Sequence, residues 1–218
     1  MDSFFTRAGC TIAFQPFAHQ VDFDAKLKER RPAYLFIPHW YFRKFGRDLH
    51  LQPFLLPLRR GAASYRKVLL TSEQSKVTLE NLKNHSLAMT SMGPDTEGIL
   101  NSILFSRYGV DARGLSTVMV SKDSDALFAL ALGHVDMALA VKENMDQVAG
   151  INPKIMQFLH PLAESEAIPM PVFCYVEEAV SPSEVQKLKD VFLNPDKKEM
   201  RTRIMELLQI DEWRTYSE

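Results

Sequence analysis

The stretch SDALFALALGHVDMALAVKE, residues 124–143, shows most clearly how this chain folds. Apolar residues recur at helical spacing between Leu127 and Leu132, and Gly133 then ends the helix. The apolar run over Asp136–Ala140 is typical of a buried strand. Because strands and helices alternate in this way along most of the chain, the sequence predicts an α/β fold with mostly parallel sheets covered by helices.

Short runs rich in β-branched and aromatic residues predict the other strands. Side chains that can cap a helix stand at Asp95, at Asp123 or Ser124, and at Ser181 before Pro182, so we expect helices to begin there. The predicted strands are Thr11–Phe14, Ala33–Ile37, Leu49–Leu58, Arg66–Thr71, Ser86–Thr90, Thr117–Val120, Asp136–Ala140, Lys154–Leu159 and Val172–Val176.

The first residues, MDSFFTRAG, predict the last turns of an amphipathic helix that stops at Gly9. An α/β lobe normally has a strand before such a helix, so we expect either that a natural start lies upstream or that the protein has lost its first strand. The stretch ending at Cys10 has Asp2 first and Arg7 before its small residues. It therefore lacks the basic start and apolar stretch of a secretory signal or lipid anchor.

Composition excludes several classes of protein. The formal net charge is −1 and the basic residues are scattered, so nucleic acid is not an expected partner. No apolar run approaches the ~20 residues that span a bilayer, so we expect no membrane insertion. Cys10 and Cys174 form no clustered pair, and we expect both to be buried thiols without a metal.

No catalytic constellation stands out in the sequence. The six histidines are dispersed without HxxxH or HExxH spacing, and no glycine-rich nucleotide loop occurs. Cys174 lies in the apolar run PVFCYV, where a thiol is inert. We therefore predict no enzyme activity, no cofactor and no metal.

From about Thr11 onward the order of motifs resembles that of the periplasmic substrate-binding proteins of phosphate/phosphonate ABC transporters. Several separate elements carry the resemblance, and their order is more specific than any single one. These elements are FIPHWYF at 36–42, LLPLRRGAASYRKVLLT at 55–71, LENLKNHSLAMT at 79–90, GPDTEG at 93–98, the opening stretch at 124–143, SEAIPMPVFCYVEE at 165–178 and LLQIDEW at 207–213.

The resemblance implies a two-lobed type II periplasmic-binding-protein fold with a hinge between the lobes. One lobe would comprise residues 1–70 and 171–218, and the other residues 71–170. Such a protein captures a small polar ligand in the cleft between its lobes for an ABC permease, in the periplasm. The alternative is an intracellular sensory or regulatory module on the same fold, without a transport role, which would be cytoplasmic if Met1 is the true start.

The family holds its oxyanion at a helix start that corresponds here to Asp95, Thr96 and Glu97. Helix N-termini bind anions through backbone N–H groups and the helix dipole. Asp95 and Glu97 stand where the family has serines, and their carboxylates would compete with an anion. Three interpretations stay open: plain helix-start residues, a site altered to accept a cationic or polyol ligand, or a cleft that binds nothing small.

The resemblance assigns further ligand contacts. Tyr65 matches a tyrosine that faces the ligand, and its alternative role is that of an ordinary strand aromatic. Tyr41 and His39 occupy a turn that faces the cleft, although His39 also fits a structural histidine. Ser124 replaces a histidine of the family. Glu143 matches a carboxylate that some members use for an amino group, with a solvated helix-start glutamate as the alternative.

Overall fold

The computed structural model describes residues 2–17, 20–92, 95–208 and 210–217. The helices are α1 Asp2–Arg7, α2 Gln20–Glu29, α3 His39–Phe45, α4 Thr96–Ile103, α5 Asp123–Ala131, α6 Lys142–Ile151, α7 Pro153–Gln157, α8 Pro182–Leu193 and α9 Lys198–Leu208. The strands are β1 Tyr34–Ile37, β2 Leu51–Leu58, β3 Ser64–Tyr65, β4 Lys67–Ser72, β5 Ser86–Thr90, β6 Ser116–Val120, β7 Met137–Val141, β8 Leu159–Glu164, β9 Ile168–Pro169, β10 Val172–Val176 and β11 Glu212–Thr215.

The chain forms two compact units. Unit 1 comprises Met1–Ser64 and Pro169–Glu218, and unit 2 comprises Tyr65–Ile168. Unit 1 contains a sheet with the strand order β1-β10-β2-β11, and unit 2 contains a sheet with the order β6-β5-β7-β4-β8. The chain passes between the units in β3 and β9, which form a two-stranded sheet. The predicted α/β class is confirmed.

The expectation of mostly parallel sheets is wrong. In the unit 2 sheet β5 runs parallel to β6 and β7, but β4 pairs antiparallel with β7 and β8. In the unit 1 sheet all described pairings are antiparallel. The physical reason is that β1 and β2, joined through α3, do run in the same direction, but β10 from a distant part of the chain lies between them.

The unit 2 sheet buries apolar side chains on both faces. One face contributes Leu69, Leu87 and Leu139, which pack with Leu100 of α4. The other face carries three alanines, among them Ala138, beside larger residues of β4, and packs against α5. Small side chains let the helix approach the strands closely, as dense core packing requires.

The unit 1 core is built from aromatic rings. The ring of Phe173 on β10 lies 4.9 Å from that of Phe54 and 5.6 Å from that of Phe192. Trp213 on β11 lies 4.9 Å from Phe192. Each large ring removes much apolar surface from water, so this cluster supplies a large part of the stabilisation of the unit.

Local signals explain where two helices begin or end. Gly9 follows α1 with a φ of +69°, a conformation that glycine adopts without strain, so the predicted stop is confirmed. Ser181 starts α8 as predicted. Its side chain accepts a hydrogen bond from the Glu184 backbone N–H, and the Glu184 carboxylate accepts one from the Ser181 N–H.

Two predicted strands and one predicted burial are wrong. Thr11–Phe14 has no strand structure, because β-forming residues make a strand only where a neighbouring strand supplies hydrogen bonds. Most of Lys154–Leu159 lies in α7, which Pro153 favours as a first helical residue, and β8 begins only at Leu159. Cys10 is half-buried, whereas Cys174 is buried.

Candidate functional site

Three helices begin at one edge of the unit 2 sheet. Strands β5, β6 and β7 run parallel, so their carboxyl ends lie at the same edge. Helix α4 follows β5, α5 follows β6 and α6 follows β7. Open α/β sheets bind ligands outside the carboxyl ends of their strands, and helix N-termini there favour negative charge. This edge is therefore the candidate site of unit 2.

The start of α4 carries the three residues singled out from the GPDTEG motif, of which Gly93 and Pro94 lie outside the described residues. Thr96 is the first helical residue, is buried, and its hydroxyl accepts a hydrogen bond from the Met92 N–H at 3.4 Å. Asp95 and Glu97 are exposed. The structure thus places the hydroxyl inward and both carboxylates at the surface of the helix start.

The Asp95 carboxylate lies against Gly98. A Cβ built on Gly98 would come within 2.5 Å of Asp95 Oδ1, so this close approach depends on a residue without a side chain. Asp95 makes no capping hydrogen bond from its side chain. Its negative charge lies over the first turn of α4, where the helix dipole is favourable to it.

Glu97 lies in a different electrostatic environment. The pKa of Arg113 is raised by its hydrogen bonds and ion pair with Asp111 and, to a smaller extent, by Glu97. The Arg113 guanidinium is bonded to the Asp111 carboxylate, so Glu97 has no direct cationic partner among the described residues.

A buried polar network ties the same edge together. The Lys67 ammonium donates to Thr90 Oγ1 at 3.2 Å and lies 3.5 Å from Asp123 Oδ1. Asp123 also accepts hydrogen bonds from the Thr90 hydroxyl, the Val141 N–H and the Asn144 side chain, at 3.1, 2.7 and 3.1 Å. The network joins the ends of β5 and β7 and the start of β4 to the first turns of α5 and α6.

Ser124 and Glu143 lie in the first turns of α5 and α6. Ser124 is half-buried and directly follows Asp123, which is itself the first residue of α5. One carboxylate oxygen of Glu143, Oε2, is buried and has no hydrogen-bond partner among the described residues. The contact of Glu143 with a ligand stays a prediction, as does the alternative of a solvated helix-start glutamate.

Tyr65 is a half-buried residue of β3. It belongs to unit 2 and precedes Arg66, whose guanidinium donates to the Ser165 carbonyl at 2.7 Å. Its contact with a ligand stays a prediction.

Tyr41 and His39 lie in α3 of unit 1. The Tyr41 side chain is buried, its hydroxyl donates to the Asp24 carboxylate at 2.8 Å, and its ring packs 4.7 Å from that of Phe45. Burial and the hydrogen bond to Asp24 raise the pKa of Tyr41. His39 is half-buried. Its pKa is lowered mainly by burial and to a smaller extent by the positive charge of the nearby Arg43. These contacts give both side chains structural partners, and ligand contact stays a prediction for each.

The sequence interpretation missed Lys67, Thr90 and Asn144 as members of the network, and it took Asp123 only as a possible cap. A signal was present for Lys67, since it begins the run KVLLT in which each of the other residues is buried. A charged residue in such a run needs a buried partner. Which partner it finds depends on the strand order, which the sequence does not reveal.

The part of the chain that the structure describes has neither a cluster of metal ligands nor a membrane-spanning helix. Among the described residues, no group of three or more histidine, cysteine, aspartate or glutamate side chains could hold a metal ion. Within the same part of the chain, no helix combines the length and apolar character needed to cross a membrane.

The family model for the periplasmic substrate-binding proteins of ABC phosphonate transporters matches residues 10–218. The chain belongs to this phosphonate-binding family. Family membership confirms the resemblance stated from the motifs and identifies the chain as a solute-binding protein. No curated protein matches it in sequence.

Solved structures agree with the fold of the phosphonate-binding family. A binding-protein component of an ABC phosphonate transporter from Pseudomonas aeruginosa is 17% identical with a TM-score of 0.71, over 99% of this chain and 74% of that one. PhnD1 from Prochlorococcus marinus, in complex with methylphosphonate, is 12% identical with a TM-score of 0.69. The match covers 99% of this chain and 85% of PhnD1.

A Xanthomonas citri protein bound to ATP is 14% identical with a TM-score of 0.73, over 99% of this chain and 83% of that one. At these identities the likeness extends to the fold alone. The predicted periplasmic-binding-protein fold is confirmed.

Proposed function

We propose that this chain captures a small solute with a phosphonate-like oxyanion and delivers it to an ABC permease in the periplasm. The observation that carries the proposal is the family match over nearly the whole chain. The parallel strands of unit 2 supply the matching geometry, because they bring three helix starts to one edge. The chain binds its solute without converting it.

The first turn of α4 is the proposed anchor of the oxyanion. The first N–H groups of an α-helix have no acceptor within the helix, and helix N-termini commonly bind anions. The Thr96 hydroxyl lies at the same turn, and Ser124 brings a second hydroxyl at the start of α5. Tyr65, Tyr41 and His39 are proposed as further contacts of the solute.

The two carboxylates of the motif do not rule out an anion. Glu97 is exposed, so its side chain can point into solvent. Asp95 is exposed, so its side chain can rotate away from Gly98 when a stronger acceptor arrives. We expect Asp95 to weaken anion binding, since it competes for the same N–H groups.

A binding experiment with a matched pair of variants tests the proposal. Isothermal titration of methylphosphonate, phosphate, sulfate, ethanolamine and glycerol against the wild type should show binding of methylphosphonate. Thr96→Val should weaken that binding about tenfold, the effect of losing one hydrogen bond to a charged group. Phosphorus NMR of the bound solute should show no turnover.

Thr71→Val is the matched control. Thr71 is a buried threonine of the same sheet whose hydroxyl donates to the Asp136 carbonyl, away from the helix starts. Its variant should lower the melting temperature and leave the dissociation constant unchanged. Binding of none of the solutes by the wild type, or equal weakening by the two variants, would contradict the proposal.

A further inference from the structure

The Lys67 side chain crosses the end of a neighbouring strand. Lys67 is the first residue of β4, and its ammonium reaches Thr90, the last residue of β5. Strand β7 lies between β4 and β5, so the side chain passes over the carboxyl end of β7. Only 4% of Lys67 is exposed. A positive charge is thus buried at the edge where α4, α5 and α6 begin.

Asp123 balances that charge but has little capacity for other partners. Its carboxylate accepts hydrogen bonds from Thr90, Val141 and Asn144 and contacts the Lys67 ammonium. An ammonium has three donors, whereas Lys67 has two partners among the described residues. The Asp123 carboxylate is therefore fully engaged, whereas the Lys67 ammonium has one N–H without a partner among the described residues.

The buried ammonium is close along the chain to the proposed anchor of the oxyanion. Thr90 is followed two residues later by Met92, whose N–H donates to the Thr96 hydroxyl. On the other side, Asp123 is followed directly by Ser124. Both proposed hydroxyl contacts, Thr96 and Ser124, therefore lie within a few positions of network residues along the chain.

Keeping this charge buried is costly. Desolvation lowers the pKa of Lys67, and the nearby Asp123 opposes that shift. A well-packed apolar pair would serve stability equally well or better. A buried charge is little screened by solvent, so its field acts on a ligand more strongly than that of a surface lysine.

We infer that Lys67 is a specificity-determining residue of the proposed site, selecting solutes that carry a negative charge, and that Asp123 limits the strength of this selection. The inference rests on the proposed function. It also bears on an oxyanion site that carries Asp95 and Glu97, because Lys67 brings a positive charge to the same edge of the sheet.

Substitutions of Lys67 and of Asp123 should change the affinity for methylphosphonate differently. Lys67→Met removes the cation and leaves Asp123 buried, so the dissociation constant for methylphosphonate should rise by about tenfold or more. Asp123→Asn leaves the cation unbalanced, so the dissociation constant should fall or stay unchanged although the fold is destabilised. A purely structural role predicts weaker binding, or no change, in both variants.

The titrations are done at a temperature where circular dichroism shows each protein to be folded. If Lys67→Met does not fold, the double variant Lys67→Met/Asp123→Asn removes both charges, and it should still bind methylphosphonate about tenfold more weakly than the wild type. Asp136→Asn is the control, because Asp136 bonds to Ser86 at the opposite ends of the same strands. It should leave the affinity unchanged.

The outcomes separate the two claims. Binding by the wild type with equal weakening in Lys67→Met and Asp123→Asn overturns the role of Lys67 and leaves the proposed function standing. If the double variant binds methylphosphonate as tightly as the wild type, the role of Lys67 is likewise overturned and the proposed function stands. No binding of methylphosphonate by the wild type overturns both.

Discussion

Cys174 shows how strongly burial changes the chemistry of a single side chain. It lies in β10 with none of its surface exposed, and desolvation raises the pKa of its thiol to about 12. Because the thiolate is the reactive form, we expect Cys174 in a Cys10→Ser variant to resist a thiol reagent at pH 8 until denaturant is added. Labelling of the folded variant as fast as of the unfolded one would contradict this.

Asp136 gives stability a defined dependence on pH. Its carboxylate accepts hydrogen bonds at 2.9 Å from the Ser86 N–H and hydroxyl, and the backbone bond is the main cause that lowers its pKa below the ordinary 3.8. The folded state therefore binds fewer protons than the unfolded state in the range between the two pKa values. The stabilisation is present above that range and is lost as the pH falls through the folded-state value.

We expect Asp136→Asn to lower the free energy of unfolding at pH 7 by on the order of 1 kcal/mol, a modest figure because the carboxylate is half-exposed. The difference in the free energy of unfolding between this variant and the wild type should shrink as the pH falls below about 4. Urea titrations at pH 7, 5 and 3.5 measure it. Asp48→Asn, at an exposed aspartate of unit 1, is the control, and an unchanged gap at low pH would count against the role of Asp136.

At the scale of elements, α8 depends on the reciprocal bonds at its start. Ser181→Ala and Glu184→Ala should each cost about 1 kcal/mol in urea unfolding, and the double variant should cost less than their sum because both remove the same pair of bonds. Ser183→Ala removes a hydroxyl that hydrogen-bonds to the Ser181 hydroxyl at 3.0 Å but leaves the two reciprocal bonds in place, so it should cost less than either variant. Strict additivity would show that the two residues act separately.

Elements differ in how far the sequence determines them. The run Met137–Val141 is buried along its whole length, so its strand could be predicted from apolar character alone. The direction of pairing could not, since β10 joins its sheet through contacts with residues more than 100 positions away, such as Leu35. Short segments such as Lys154–Leu159 carry too few residues for periodicity to separate helix from strand.

At the scale of the whole molecule, the candidate site gathers residues from distant parts of the chain. The sequence placed the starts of α4 and α5 correctly at Asp95 and Asp123, because Asp is frequent at helix starts, but neither side chain makes the capping hydrogen bond that we expected. Lys67 could not be connected to them from the sequence. Its reach across β7 follows from the strand order, which only the complete packing of unit 2 determines.

The aromatic core of unit 1 has a spectroscopic consequence. The chain has two tryptophans, Trp40 in α3 and Trp213 in β11, and both belong to unit 1. Tryptophan fluorescence, excited near the red edge of the absorption band, therefore reports on unit 1 alone. Unit 2 contributes no tryptophan signal. Replacing the buried Phe105 of unit 2 with tryptophan in a Trp40→Phe/Trp213→Phe background would move the signal to the half that carries Lys67, so each half could be followed alone.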